Sequence, residues 1–272
     1  MLVRICAIGW RADAALRAGD RAARVIAALT TSVYVDVDGA IFWIGAAGTT
    51  GHGRAIHVTA APTGLRGGDT LHLAPPALTP WRPERVPATA SAAWTLRRGA
   101  ARLAASMTTP GDARGFGAWL VGAPLAFPLD TAGARADALA DACAADDPPR
   151  ATTAAMALIG LGPGMTPAGD DFVGGAFFAR ALLARAGVVD AAAWRDAAST
   201  LSEAAAHLTH PIGAALLGDL LVGEGWSPLH DLAASLARGD EPAALDAARQ
   251  VTRLGHSSGW DLLAGFVAGA RA

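Results

Sequence analysis

The chain contains no lysine and no asparagine, and all 22 of its basic residues are arginine. Without lysine there is no Walker A loop, no pyridoxal Schiff base and no lysine nucleophile. Cys-x-x-Cys, His-Glu-x-x-His and Gly-x-Ser-x-Gly are also missing, so most familiar enzyme templates are excluded. The two cysteines, Cys6 and Cys143, lie far apart and form no motif, which fits a reducing, cytoplasmic setting. A net charge of −2 with no basic run points away from nucleic acid and membrane surfaces. The longest apolar stretch, Phe172 to Val189, is interrupted by Arg180 and Arg185 and reads as a buried helix rather than a membrane span. The first residues lack the cationic start, long apolar region and cleavage site of a signal peptide.

What is present divides into two textures, giving an α+β fold class. Residues 1–130 read as a β-rich domain. Ser32 to Val37 alternates, Asp38-Gly39 makes a two-residue turn, and Ala40 to Gly45 answers as the hairpin partner. Ala55 to Ala60 and Asp69 to Ala74 read as further strands, Ser91 to Met107 as a helix, and Trp119 to Phe127 as one more strand. Residues 131–272 read as a mainly helical domain of roughly eight helices, counted from their start and stop signals. Asp146-Asp147-Pro148-Pro149 and Asp240-Glu241-Pro242 mark helix starts, as does Ser227-Pro228, and Gly187, Gly223 and Gly239 mark stops.

One motif occurs twice in the second half. Gly160 to Phe172 includes Gly164, Thr166 and then Gly169-Asp170-Asp171; near the end the chain runs Gly255-His256-Ser257-Ser258-Gly259-Trp260-Asp261. Aligning Gly169 with Gly259 places Asp171 on Asp261 and Gly175 on Gly265. A loop of glycines and hydroxyls running into an apolar periodic segment describes a helix N-terminus, where backbone N–H groups are unpaired and the dipole is positive. Two such ends together would suit an anionic substrate. The plainer reading is a pair of capped helix starts. Four glycines within ten residues and adjacent carboxylates exceed what a cap needs. Asp170, Asp171 and Asp261 could bind Mg²⁺, orient an amide or accept a proton, and His256 suits proton transfer near neutrality. Gly51-His52-Gly53-Arg54 reads equally as an anion ligand or a glycine turn. His207 and His210 read as an ordinary helix junction.

These motifs carry a resemblance. Gly160 to Phe172 is close to the Gly-Pro-Gly-Leu-Thr-Pro-Ser-Gly-Asp-Asp pattern of the AllH-like family of oxamate carbamoyltransferase subunits, and Gly255 to Gly265 is similar to its C-terminal signature. Thr209 and Pro211 to Leu217 resemble a third block, with Gly213 where serine is expected. The resemblance implies carbamoyl transfer in allantoin degradation: oxalurate and phosphate give oxamate and carbamoyl phosphate, within an assembly of different subunits. The Ser-Thr-Arg-Thr signature of ordinary transcarbamylases is absent. On this reading Gly164, Thr166, Gly169, Gly255, Ser257, Ser258 and Gly259 bind the small anionic substrate. Asp171 and Asp261 hold its amide or a cation, while Asp170 and His256 move protons. Two other readings stand beside it: a Mg²⁺-dependent hydrolase of an amide, ureido or glycosidic bond, and a noncatalytic structural subunit. A bound divalent ion on the carboxylates would favour the first, and motif residues buried away from any pocket the second.

Overall fold

The computed structural model describes residues 4–60, 62–107 and 112–271. It is α+β, with strands in the first part and helices in the rest. Contacts divide the chain into two compact units, Met1–Pro83 and Glu84–Ala272. The change of texture near residue 130 falls inside the second of these.

The first unit is a six-stranded sheet ordered β1-β5-β4-β3-β2-β6. Its strands are β1 (Ile5–Ile8), β2 (Arg21–Ala28), β3 (Ser32–Val37), β4 (Ala40–Ala46), β5 (Ala55–Val58) and β6 (Thr70–Leu73), with helix α1 (Trp10–Leu16) between β1 and β2. The expected hairpin forms in register from Ser32↔Gly45 to Val37↔Ala40. Asp38 and Gly39 both take positive φ, 53° and 84°, as the tight turn that matches strand twist requires. β5 joins β4 in parallel, and the other pairings between these strands are antiparallel. β1, α1 and β2 had no clear sequence signal. β2 reads Arg-Ala-Ala-Arg-Val-Ile-Ala-Ala, weak in strand formers, and is held by pairing with β3 and β6 on its two sides. The Gly51-His52-Gly53-Arg54 segment is a turn whose polar groups serve the sheet. His52 Nδ1 accepts from Arg54 N at 3.1 Å, and Arg54 Nη1 donates to Ile41 O at 3.1 Å.

The second unit begins with α2 (Ala90–Ser106) and α3 (Phe116–Leu120). The strand expected over Trp119 to Phe127 is a short helix followed by turns. Gly115 at φ 53° turns the chain, Phe116 and Gly117 are buried, and Gly122 at φ 72° ends the element. A strand here would have had no neighbour to pair with. Eight helices then follow: α4 (Gly133–Ala144), α5 (Pro148–Met156), α6 (Ala168–Arg185), α7 (Ala191–Leu208), α8 (Pro211–Leu221), α9 (Ser227–Arg238), α10 (Glu241–Val251) and α11 (Ser258–Ala270). Their ends follow the sequence signals. Asp147, Asp190 and Asp240 accept first-turn N–H groups, and Gly187, Gly223 and Gly239 stop helices at φ 70–75°. His210 caps α8, its Nδ1 accepting from Ile212 N at 3.2 Å.

α6 and α11 form the centre. α6 is apolar on nearly all sides and α11 is buried from Gly259 to Ala270, as helices hydrophobic all round must be. One apolar cluster, including Phe116, Leu139, Phe177 and Leu201, packs on one side of the pair. A second, with Leu96, Phe178, Leu232 and Phe266, packs on the other. The contact between the two helices is backbone to backbone. A Cβ on Gly175 would lie 2.2 Å from Leu262 O, and one on Gly265 would lie 1.9 Å from Phe172 O. The contacts are reciprocal, each glycine meeting the carbonyl three residues before its counterpart. No helix among the described residues is long and apolar enough to cross a membrane.

Candidate functional site

The crossing of α6 and α11 brings the two repeated corners together, and each corner is built alike. Gly169 N donates to Leu161 O at 2.9 Å, and a Cβ on Gly169 would meet Leu158 O at 1.9 Å. Gly259 N donates to Leu254 O at 3.0 Å, and its Cβ would meet Val251 O at 1.9 Å. Both glycines therefore let a helix start press against the last turn and exit loop of the preceding helix, α5 in one case and α10 in the other. The hydroxyls of Thr166 and Ser258 approach across the junction at 3.5 Å. Neither Thr166 nor Ser257 caps its helix, since Pro167 and Ser257 occupy the N-cap positions without a side-chain bond.

The three motif carboxylates are buried, and their partners differ. Asp170 is fully engaged: Oδ1 accepts from Gly160 N at 2.7 Å and Oδ2 from Thr209 Oγ1 at 2.5 Å. It ties the loop before α6 to the end of α7. This also accounts for Gly213, whose Cβ would lie 2.6 Å from Asp170 Oδ2 and 3.0 Å from Thr209 Oγ1; the serine of the family pattern would displace that pair. Asp261 Oδ1 accepts from Phe116 N at 2.6 Å, and a Cβ on Gly115 would fall 2.1 Å from the same oxygen. The Oδ2 atoms of Asp171 and Asp261 are buried without a hydrogen-bond partner, an exception that calls for a reason.

Protons supply one. Burial pushes the Asp261 carboxyl up to about 7, against the opposing bonds from Phe116 and Ser257. Burial, and then the neighbouring Asp261 charge, raises Asp171 well above the ordinary carboxylate range, with a bond from Ser258 opposing. Asp170 is raised by burial and held back by Thr209 and Gly160. A carboxyl whose folded-state pKa is raised stabilises the fold fully below its unfolded value, roughly 3.9, and that contribution is lost as pH rises through the folded value. The protein is therefore expected to lose stability between pH 5 and pH 8. Urea midpoints across that range check this, and a midpoint that rises would contradict it. No group of three or more His, Cys, Asp or Glu side chains among the described residues could hold a metal ion.

The open space lies at the C-terminal corner. A cleft of about 510 Å³ is bounded by α2, α10 and the loop into α11. Arg114, Arg249, Arg253 and His256 line it, with Asp112 as the one carboxylate among the described residues. Arg114 Nη1 stands 3.2 Å from His256 Nδ1 and 3.3 Å from His256 O. Gly255, at φ 60°, and Trp260 are also on the wall. Asp261 sits one residue behind Trp260, beneath the segment Arg114-Gly115-Phe116 that contributes Arg114 to the cleft. Gly164, Thr166, Gly169, Ser257, Ser258 and Gly259 do not line this cleft, so only Gly255 and His256 of the candidate residues face it. The arginines were missed because they are scattered. Arg249 and Arg253, four residues apart, were the one readable signal.

Residues 158–270 match the family described as oxamate carbamoyltransferase subunit AllH. The matched segment runs from the loop after α5 to the end of α11 and contains both corners and the α6–α11 crossing. No curated protein and no solved structure matches the chain.

Proposed function

From the AllH match we propose that this chain is a subunit of a carbamoyltransferase-type enzyme, and that its helical unit binds the small anions of the reaction, oxalurate and phosphate. The cleft beside His256 carries the proposal: three arginines and one carboxylate line it at the family's C-terminal signature. Arginine forks suit carboxylate and phosphate oxygens. In the proposed reaction a phosphate oxygen attacks the terminal carbamoyl carbon of oxalurate. The bond from that carbon to the oxamyl nitrogen breaks, and the nitrogen takes a proton to become the amide of oxamate. The proton lost by phosphate balances the one gained. Holding both anions in place provides much of the acceleration.

Asp261 is the proton carrier in this scheme. Near neutrality its carboxyl is poised between protonated and ionised, and Ser257, which opposes the rise of that carboxyl, belongs to the partly exposed loop beside His256. Asp171, raised by burial and by the Asp261 charge, is the second acid of the pair. Asp170, with both oxygens engaged, positions the loop. The other subunits that family membership implies complete the assembly.

The proposal predicts that phosphate and oxalurate raise the thermal midpoint of the purified chain. Arg114→Gln and Arg253→Gln should each weaken phosphate binding about tenfold or more, the scale of one lost charged hydrogen bond. Calorimetric titration showing unchanged affinity in both variants would refute this placement. A second reading, a noncatalytic subunit whose glycines only permit close packing, is favoured by the burial of Asp170, Asp171 and Asp261.

A further inference from the structure

A second cleft lies in the same unit, away from both glycine corners. The C-terminal half of α6, with α7 and α8, encloses about 560 Å³, within the range of small-molecule sites. Arg195, Ser199 and Ser202 line it from one face of α7, four and then three residues apart. Arg185, in the last turn of α6, lines it too, and no carboxylate among the described residues contributes to the lining. Phe177, Leu221 and Val222 make the remainder largely apolar.

The charge here is in excess. Arg180 is buried, ion-paired to Asp146, and lies with its guanidinium 4.4 Å above the Trp194 ring. Its charge is met inside the fold. Arg195 is exposed and has no carboxylate partner among the described residues. Among the described residues Arg185 bonds a neutral group, Val222 O. Two uncompensated guanidiniums, two hydroxyls and an apolar wall within one cavity define a ligand with a charged end and an apolar body. Phosphate and oxalurate lack the apolar body.

We propose that this cleft binds a small organic anion. Its carboxylate, sulfonate or phosphate would sit against Arg195, Arg185 and the α7 serines, with a flat apolar portion on Phe177, Leu221 and Val222. The site is separate from the cleft at His256.

8-Anilinonaphthalene-1-sulfonate, a fluorescent aromatic anion, is the probe. Titration into the full chain should give one saturable site. Arg195→Glu reverses the charge at an exposed position, and Ser202→Phe fills the gap towards Gly218, whose Cβ would lie 3.7 Å from Ser202 Oγ. Each should weaken binding at least about tenfold while the thermal midpoint stays near that of the parent. Arg114→Gln, which acts on phosphate at the other cleft, should leave dye affinity unchanged, so the two sites stand or fall separately. Dye binding as tight as the parent's in either cleft variant, or no saturable binding by the parent, would overturn the proposal.

Discussion

If the proposed reaction is this protein's, Asp261→Asn will cut phosphate-dependent carbamoyl transfer from oxalurate by at least about 100-fold; in either case it will raise the thermal midpoint. The first effect is the ordinary scale for losing a positioned proton carrier. The second follows from the burial that lifts the carboxyl to about 7. Asparagine keeps an oxygen to accept from Phe116 N and removes both the charge that burial penalises and its repulsion with Asp171. It should also flatten part of the pH dependence of stability. The assay uses the chain together with the further subunits that the proposed function calls for, with the urea midpoint measured alongside. Activity that survives in a stabilised variant would mean that the carboxylates serve only the packing, and the noncatalytic reading would then stand.

Gly265→Ala will be strongly destabilising, by about 3 kcal/mol or more. In an open helix the change would help by up to ~1 kcal/mol. Here the new methyl would sit 1.9 Å from Phe172 O and 2.7 Å from Phe172 C. Those are backbone atoms of a buried helix, so no side chain can turn away, and the two central helices must part. Overpacking of cores generally costs about 1–3 kcal/mol even where side chains can adjust. Gly218→Ala is the control. Its nearest neighbour, Ser202 Oγ, would be 3.7 Å away, and the propensity gain should show. Chemical denaturation of the two variants decides the matter: equal stability would mean that the crossing is looser than the geometry describes.

Much of the fold could be read in advance where local chemistry and tertiary structure agree. Asp38-Gly39 fixed the hairpin because two consecutive positive φ values leave few other residues able to turn there. Asp147 and Asp240 placed the starts of α5 and α10, and Gly187, Gly223 and Gly239 the ends of α6, α8 and α9, because each signal satisfies backbone groups locally. α3 was misread because Trp119 to Phe127 is apolar without a period, and Gly115, which sets the helix, acts through Asp261 far along the chain. In the site, the repeat marked the starts of α6 and α11 as alike, and the structure shows that they meet. It did not disclose that Asp170 would be saturated while Asp171 and Asp261 each keep one bare oxygen. Nor could it place Arg114 beside His256, 142 residues away in sequence.

The glycine crossing has a consequence for the acids above it. Asp171 precedes Gly175, and Asp261 precedes Gly265, by four residues, one turn of helix or roughly 6 Å of rise. With no side chains to act as spacers at the crossing, main-chain contact sets how far apart those turns stand, and rotamer changes cannot move them. When both acids ionise, moving them apart means parting two buried helices and opening the close crossing at Gly175 and Gly265. Uptake of a proton is the relief left open. A rigid mechanical stop in the middle of the fold thus becomes, one turn away, an affinity for hydrogen ions.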